Sequence, residues 1–437
     1  MILIEGCRVV ATMDDAGTEL DNGSILIDGG VISWIGQGRP PVREQPDVID
    51  GRGLVAVPGL INTHHHLYQI LTRVRAQEGG LFDWLRELYP LWATIDADWE
   101  RTAAEVGLAE LALSGCSTTT DHHYVFPSGV TGLLETEIEV ADQLGLRFHP
   151  CRGSMDLGES SGGLPPDRVV EDIDTILAAT DDAIQHFHNP APGSMLRIAV
   201  GPCSPFSVSQ RLMRESAALA RRRNVRLHTH IAETLDEESY CQSTFNRRPL
   251  ELLEDLGFLG PDVWLAHCVH VDDADIKRMA ATKTAVAWCP TSNMRLGSGF
   301  APAREMIDGG VQVGLAVDGS ASNDGGNLLA EARQAMLTTR ARKGAASMSA
   351  RQALRVATRG GAACLGRDDV GSIEVGKRAD IALFATDGLA FRGAEMDPVA
   401  ALIFCNPGPV QHLFVEGKPV VHDGHLVNLS EATMIWA

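Results

Sequence analysis

Nowhere in the 437 residues does an apolar run approach the ~20 side chains that a membrane-spanning helix requires. The opening stretch, MILIEGCRVVATMDD, has neither the basic start nor the long apolar run of a secretory signal, so a cytoplasmic protein is expected. Paired CxxC motifs are also missing. Nine cysteines lie singly along the chain, which favours reduced thiols, several of them buried, over a disulfide framework or a structural zinc finger. Positive charge is in deficit, with a net charge of −20. Nucleic acid and anionic membranes are polyanions that such a surface repels, so a small neutral partner fits better. The one basic run, ARRRNVR, closes a helical pattern through Met213, Ala217 and Ala220, where cations complement the helix dipole and Asn224 can stop the helix. It reads as a solvated helix end. Two further signatures are absent. DGGNLLAEA and ATRGGAACLG do not follow a strand with the G-x-G-x-x-G spacing, and neither GPCSP nor WCPTS carries the second cysteine of a cytidine-deaminase P-C-x-x-C.

What is present divides into three stretches. Residues 1–57 and 366–437 share a texture of short alternating apolar runs broken by Gly/Asp turns, as in SILIDGGVISWIG and HLFVEGKPVVHDG. Covering both faces of an antiparallel sandwich takes strands from both ends, which predicts one small discontinuous β-sandwich domain. Residues 58–365 alternate apolar strand candidates with amphipathic helical stretches such as 98–114, where Val106, Ala109 and Leu113 share a stripe before Gly115. The strand candidates LINTHHH, CSTTTDHHY, LRFHPCRGS, LRIAVGPCS, VRLHTHIAE, VWLAHCVH, TAVAWCP and VGLAVDGS make the count of an α/β fold of the (β/α)8 TIM-barrel type. DLGESSGGLPPD and RVRAQEGGLFDWL are longer loops over the strand ends, where substrate walls belong.

These strands begin apolar and finish in His, Asp, Glu, Cys or Ser, and the C-terminal ends of barrel strands carry the chemistry. His64 and His66 stand two apart, so on a strand they project to one face roughly 6.5 Å apart, close enough to converge on one ion. His65 then points into the outer layer as a packing residue. On the fifth strand Arg226, His228 and His230 share a face. His230 reaches the mouth, and His228 reads as a satisfied interior histidine one layer deeper. Glu233 falls in the following loop, within reach of a metal-bound water. His267 ends the sixth strand, His270 belongs to the next loop as a surface or capping residue, and Asp318 ends the eighth. Three neutral imidazoles plus one carboxylate, with a position left open, is a catalytic type of metal set.

Together these motifs resemble the amidohydrolase superfamily: PGLINTHHH as its PGLxxxHxH, the fifth-strand His with HxxE, the sixth-strand His and the eighth-strand Asp. RIAVGPCSP has no lysine to be carbamylated, which places the likeness in the mononuclear branch. HHHLYQ, ending in Gln69, and the LFDWL loop with Trp84 are similar to the purine deaminases. DHHYVFP, CRGSMDLGES and DGSASNDGGN are most like the bacterial 8-oxoguanine deaminases. Where guanine deaminases place an Arg-Phe pair, this chain has Cys203-Ser204-Pro205-Phe206, which argues against plain guanine.

The resemblance implies one divalent metal ion, zinc with iron as the alternative, held by His64, His66, His230 and Asp318. Such an ion lowers the pKa of a bound water from ~15.7 toward neutrality. Glu233 is expected to move that water's proton to a ring nitrogen, His267 to hydrogen-bond the attacking oxygen, and Asp318 to pass a second proton to departing ammonia. Gln69 and Trp84 are the leading substrate-binding candidates, for a purine edge and face, with Cys203, Tyr124 and Phe206 behind them. The expected substrate is an aminated purine-like heterocycle, 8-oxoguanine first, and the expected assembly a homo-oligomer. A pterin such as isoxanthopterin, guanine or an s-triazine is the competing substrate. An inactive scaffold is disfavoured because every ligand and the glutamate are present.

Overall fold

The computed structural model describes residues 1–405 and 408–431, so the last residues of the 366–437 segment and its positions 406–407 lie outside the described residues. The chain starts with β1 (Ile2–Ala11), β2 (Glu19–Asp28), β3 (Val31–Gln37), β4 (Asp47–Asp50) and β5 (Leu54–Pro58). The barrel strands follow: β6 (Leu60–Asn62), β7 (Cys116–Thr119), β8 (His122–His123), β9 (Arg147–Phe148), β10 (Cys151–Ser154), β11 (Ala199–Pro202), β12 (Leu227–Ile231), β13 (Val263–His267), β14 (Ala285–Trp288) and β15 (Val313–Leu315). The chain closes with β16 (Ile381–Ala385), β17 (His412–Val415), β18 (Lys418–His422) and β19 (His425–Leu426).

The ten central segments form one parallel ladder. β7 and β8 are halves of one strand, as are β9 and β10, so ten segments less two make eight strands. The ladder returns on itself, since β6 pairs with β7 on one side and with β15 on the other. This is a closed barrel of the TIM type. The seam is thin, a single backbone pair between Leu315 and Asn62, and a side chain reinforces it. Asn62 donates to Thr119 Oγ1 (3.0 Å) and accepts from the Val317 amide (2.9 Å), tying the first strand to both neighbours. Helices pack outside. In Ala97–Leu113, Asp96 caps the first turn by accepting from the Trp99 amide, and Gly115 at φ 91° takes the chain back into β7, a turn that excludes a side chain because Phe384 closes over it. Asn224, at φ 53°, ends the helix Gln210–Arg223 at the basic run.

Strands from the two chain ends join in a nine-stranded sheet, in which β16 bridges β5 and β17. Most pairs are antiparallel, while β1 runs parallel to β4 and β5. An apolar cluster that includes Ile4, Val10, Ile25, Ile32, Ile381 and Phe414 draws on both ends and is separate from the barrel core. Within 366–437 the chain also sends the helix Pro398–Phe404 back onto the barrel, where Arg333 binds the Ile403 carbonyl (3.3 Å). Arg147 fixes sheet to barrel. Fully buried, it grips Asp380 with two nitrogens (2.8 and 2.9 Å) and reaches Glu416 (2.8 Å) and the carbonyls of Gly193 and Ser194. Among the described residues no helix is long and apolar enough to cross a membrane.

Candidate active site

Four ring nitrogens decide what this site can bind, and their protons can be placed by following acceptors. Burial lowers the pKa of His64, His66, His228 and His230, so all four are neutral and each carries one proton. A carbonyl only accepts. Nδ1 of His66 therefore donates to the His122 carbonyl (2.8 Å) and Nδ1 of His230 to the Cys203 carbonyl (2.7 Å). Nδ1 of His228 donates to the Trp264 carbonyl (2.7 Å), which leaves its Nε2 to accept from Nδ1 of His64 (2.8 Å). The Nε2 lone pairs of His64, His66 and His230 are thus all bare. They converge: His66 and His230 are 3.1 Å apart at Nε2, and Asp318 Oδ1 lies 3.3 Å from His64 and 3.5 Å from His66. Lone pairs packed this closely without a proton between them repel unless a cation sits among them, and Nε2 of His64 is buried without a hydrogen-bond partner. A divalent ion fits this set of three neutral nitrogens and one carboxylate oxygen.

His267 has the opposite tautomer. Asn293 donates to its Nδ1 (3.0 Å), so Nε2 carries the proton and faces Glu233 Oε2 at 3.5 Å and Asp318 Oδ2 at 4.0 Å. It stands beside the site as a donor. Burial pushes Asp318 up, but the donors that face it, the Ser292 hydroxyl at Oδ2 (2.6 Å) and the Nε2–H of His267, leave it well below the usual range. Glu233 behaves oppositely: burial and the nearby Asp318 charge raise its pKa well above normal. Its loop is locked by Glu237, whose carboxylate accepts from the amides of Ala232 and Glu233 (both 2.9 Å). Three non-glycine residues at the barrel mouth, Ala232, His267 and Asp318, sit at φ 51°, 72° and 66°, a left-handed geometry that costs energy and clusters at functional sites.

The expected substrate-side residues line one cleft with this set: Gln69, Trp84, Tyr124, Cys203 and Phe206. Both polar atoms of the Gln69 amide are buried without a partner. Trp84 spends its indole N–H on the Ala321 carbonyl (3.0 Å), so only its ring is left for a ligand. Cys203 contributes mainly through the carbonyl that holds His230, and burial raises its thiol pKa to about 12. Phe206 packs against Phe82, and Tyr124 stands edge-on to His66. His65 lies apart, 3.9 Å from Asp121, in an outer layer that also holds His123, Glu137 and Glu100. His270 donates to the Ser298 carbonyl (2.9 Å) in its loop.

Two contributors were not apparent from the sequence. His122 stacks on His230 (4.8 Å between centroids, 21°), and its backbone carbonyl orients His66. Gly319 is the other. A Cβ there would fall inside the Gln69 side chain, so the glycine exists to admit that amide. Only the doubled histidine of DHHY hinted at the first, and nothing local signalled the second.

A closed parallel barrel with this donor set at its strand ends defines a metal-dependent hydrolase class. Comparison with known proteins is in accord. The model of the Amidohydrolase family matches residues 55–420. The chain is 44% identical over 421 residues to 8-oxoguanine deaminase of Pseudomonas aeruginosa, covering 96% of this chain and 94% of that protein. It is 36% identical to an isoxanthopterin deaminase from an unknown prokaryotic organism, covering 94% and 89%. Atrazine chlorohydrolase of Arthrobacter aurescens TC1, solved in complex with zinc, superimposes with a TM-score of 0.95 at 38% identity, covering 100% and 98% of the two chains. The chain belongs to the amidohydrolase family, as an enzyme that hydrolyses carbon–nitrogen bonds.

Proposed function

We propose that the chain hydrolyses 8-oxoguanine to urate and ammonia at the site formed by His64, His66, His230, Asp318, Glu233 and His267. The unpartnered Gln69 amide carries the choice of substrate. A buried amide presents one acceptor and one donor side by side, and an oxidised purine offers the matching mixed edge, with Trp84 and Phe206 as apolar walls. The 8-oxoguanine deaminase relative at 44% identity supports the same choice.

His64, His66, His230 and Asp318 would hold a zinc ion, which would lower the pKa of a bound water toward neutrality, and the zinc-bound chlorohydrolase neighbour favours zinc over iron. Glu233, at the barrel mouth beside the Nε2–H of His267, takes a proton from the attacking water and delivers it to the ring nitrogen beside the amine-bearing carbon. The Nε2–H of His267 hydrogen-bonds the attacking oxygen. The new C–O bond forms as electrons move onto that ring nitrogen, and the C–N bond then breaks. Asp318 passes the remaining water proton to the departing amine, so one water is consumed and one ammonia released. Nine free cysteines, eight of them buried, support a reducing, cytoplasmic setting.

Ammonia release from metal-quantified protein tests this reading against 8-oxoguanine, guanine, isoxanthopterin, isocytosine and hydroxylated s-triazines. The highest kcat/KM is expected for 8-oxoguanine. A preference for isoxanthopterin or a triazine would transfer the same chemistry to that ring, and no ammonia from any of them would overturn deamination.

A further inference from the structure

Cross-strand register sets three histidines in a row far along the chain from the barrel site. His412 in β17 pairs with His422 in β18, and His422 pairs with His425 in β19. Directly opposed residues of an antiparallel pair place their side chains on the same face, about 5 Å apart. The hairpin between His422 and His425 is Asp423-Gly424, both left-handed at φ 51° and 79°, a tight two-residue turn that fixes this register.

The donor atoms are close. The rings of His412 and His422 are 4.8 Å apart, Nε2 of His422 is 3.5 Å from Asp423 Oδ2, and Nε2 of His412 is 3.8 Å from Asp423 Oδ1. One ligand atom from each of the three residues lies within 4.8 Å of the others. Among the described residues, neither Nε2 has a hydrogen-bond partner. Two existing bonds bear on the site: Gln411 donates to Asp423 Oδ1 (3.1 Å), and the Asp423 amide donates to His412 Nδ1 over a long 3.4 Å. His412 is 5% exposed while His422 and Asp423 are open to solvent, so an ion can enter without opening the fold.

We propose that His412, His422 and Asp423 form a second metal site, separate from the barrel site, for a divalent transition ion such as Zn2+. Two imidazoles and a carboxylate suit zinc, nickel or copper and are a poor match for the all-oxygen preference of calcium and magnesium. Loading moves the His412 proton to Nδ1, at the expense of the long bond from the Asp423 amide. His425, opposite His422 in the register, now has Nδ1 3.6 Å from Glu431 and can turn about its side-chain torsions to add a further donor. The bound ion pins β17, β18 and β19, the last strands of the chain-end sheet, to one another.

The test is calorimetric titration with ZnCl2 of protein already carrying one zinc equivalent, with metal content measured after desalting. A second equivalent is expected in the parent protein. His422→Ala and Asp423→Asn are expected to weaken it by about tenfold or more, because each removes one arm of a chelate, and His425→Ala by a smaller factor. All three variants retain the first equivalent and ammonia release. Absence of a second equivalent, its undiminished binding in both His422→Ala and Asp423→Asn, or loss of the first equivalent in those variants would each overturn the assignment. Asp423→Asn keeps the turn's shape, so it gives the same reading should His422→Ala fold poorly.

Discussion

Nε2 of His228 accepts the proton of His64 Nδ1 across 2.8 Å, and that bond fixes which nitrogen of His64 faces the barrel mouth. Since Nδ1 of His228 is committed to the Trp264 carbonyl, the chain from backbone to ligand runs in one direction only. His228→Ala removes the acceptor and frees the His64 ring to rotate or change tautomer. Losing such an outer partner costs about 10- to 100-fold in metal affinity or activity. Zinc competition with a chromophoric chelator is expected to show that loss with the fold intact; parent-like affinity would leave His228 a packing residue.

Glu233→Gln keeps the shape and hydrogen-bonding reach of the side chain but cannot carry a proton between water and ring. Turnover is expected to fall by at least ~10² to 10⁴, with metal content unchanged by elemental analysis. Near-parent kcat would remove Glu233 from the reaction.

Gly319→Ala tests the substrate side, with metal content as the control because the Gly319 amide donates to Asp318 Oδ1 (2.7 Å). The new methyl group collides with the Gln69 amide, while the ligand nitrogens keep their backbone anchors. KM for the purine is expected to rise by about tenfold or more, the range expected when a buried polar contact is misaligned, with metal content preserved. Unchanged KM would dissociate Gln69 from recognition.

Asp369 predicts a pH dependence of stability. Burial raises its pKa, but two bonds from Arg367 (2.7 and 2.8 Å) and one from the Gly193 amide (2.7 Å) overcome that and leave it well below normal. A carboxyl depressed in the folded state stabilises above its unfolded pKa of about 3.9 and loses that contribution as pH falls through and below it. Asp369→Asn is expected to cost about 2 kcal/mol at pH 7, from charged hydrogen bonds. Chemical denaturation at pH 7 and pH 3.5 should show the gap between parent and variant narrowing at the lower pH, and an equal gap at both would contradict it.

What was legible in the sequence followed from local period. Two-residue spacing separated His64 and His66 from His65 before any contact was known, and the alternation of strands and helices gave the barrel. What stayed hidden depended on approach between distant segments. His228 reads as interior filler until His64, 164 residues away, is seen to lean on it. Gly319 looks like any loop glycine until Gln69 arrives, and Glu237 resembles a solvated helix start until its carboxylate takes the amides of the preceding loop. The helix Pro398–Phe404 escaped because the surrounding segment has the texture of strands, and its seven residues are too few to impose a helical period of their own.

The seam at Asn62 bears on when the proposed metal-binding set is completed. That amide meets Val317 across 255 residues of chain, so during synthesis the first barrel strand waits for the last to emerge before the ring can close. His64 and His66 are exposed early, His230 joins much later, and Asp318 arrives last, beside the residue that closes the ring. On the proposed metal assignment, a growing chain therefore carries loose histidines well before the full donor set exists, and discrimination among ions is deferred to the moment the barrel shuts.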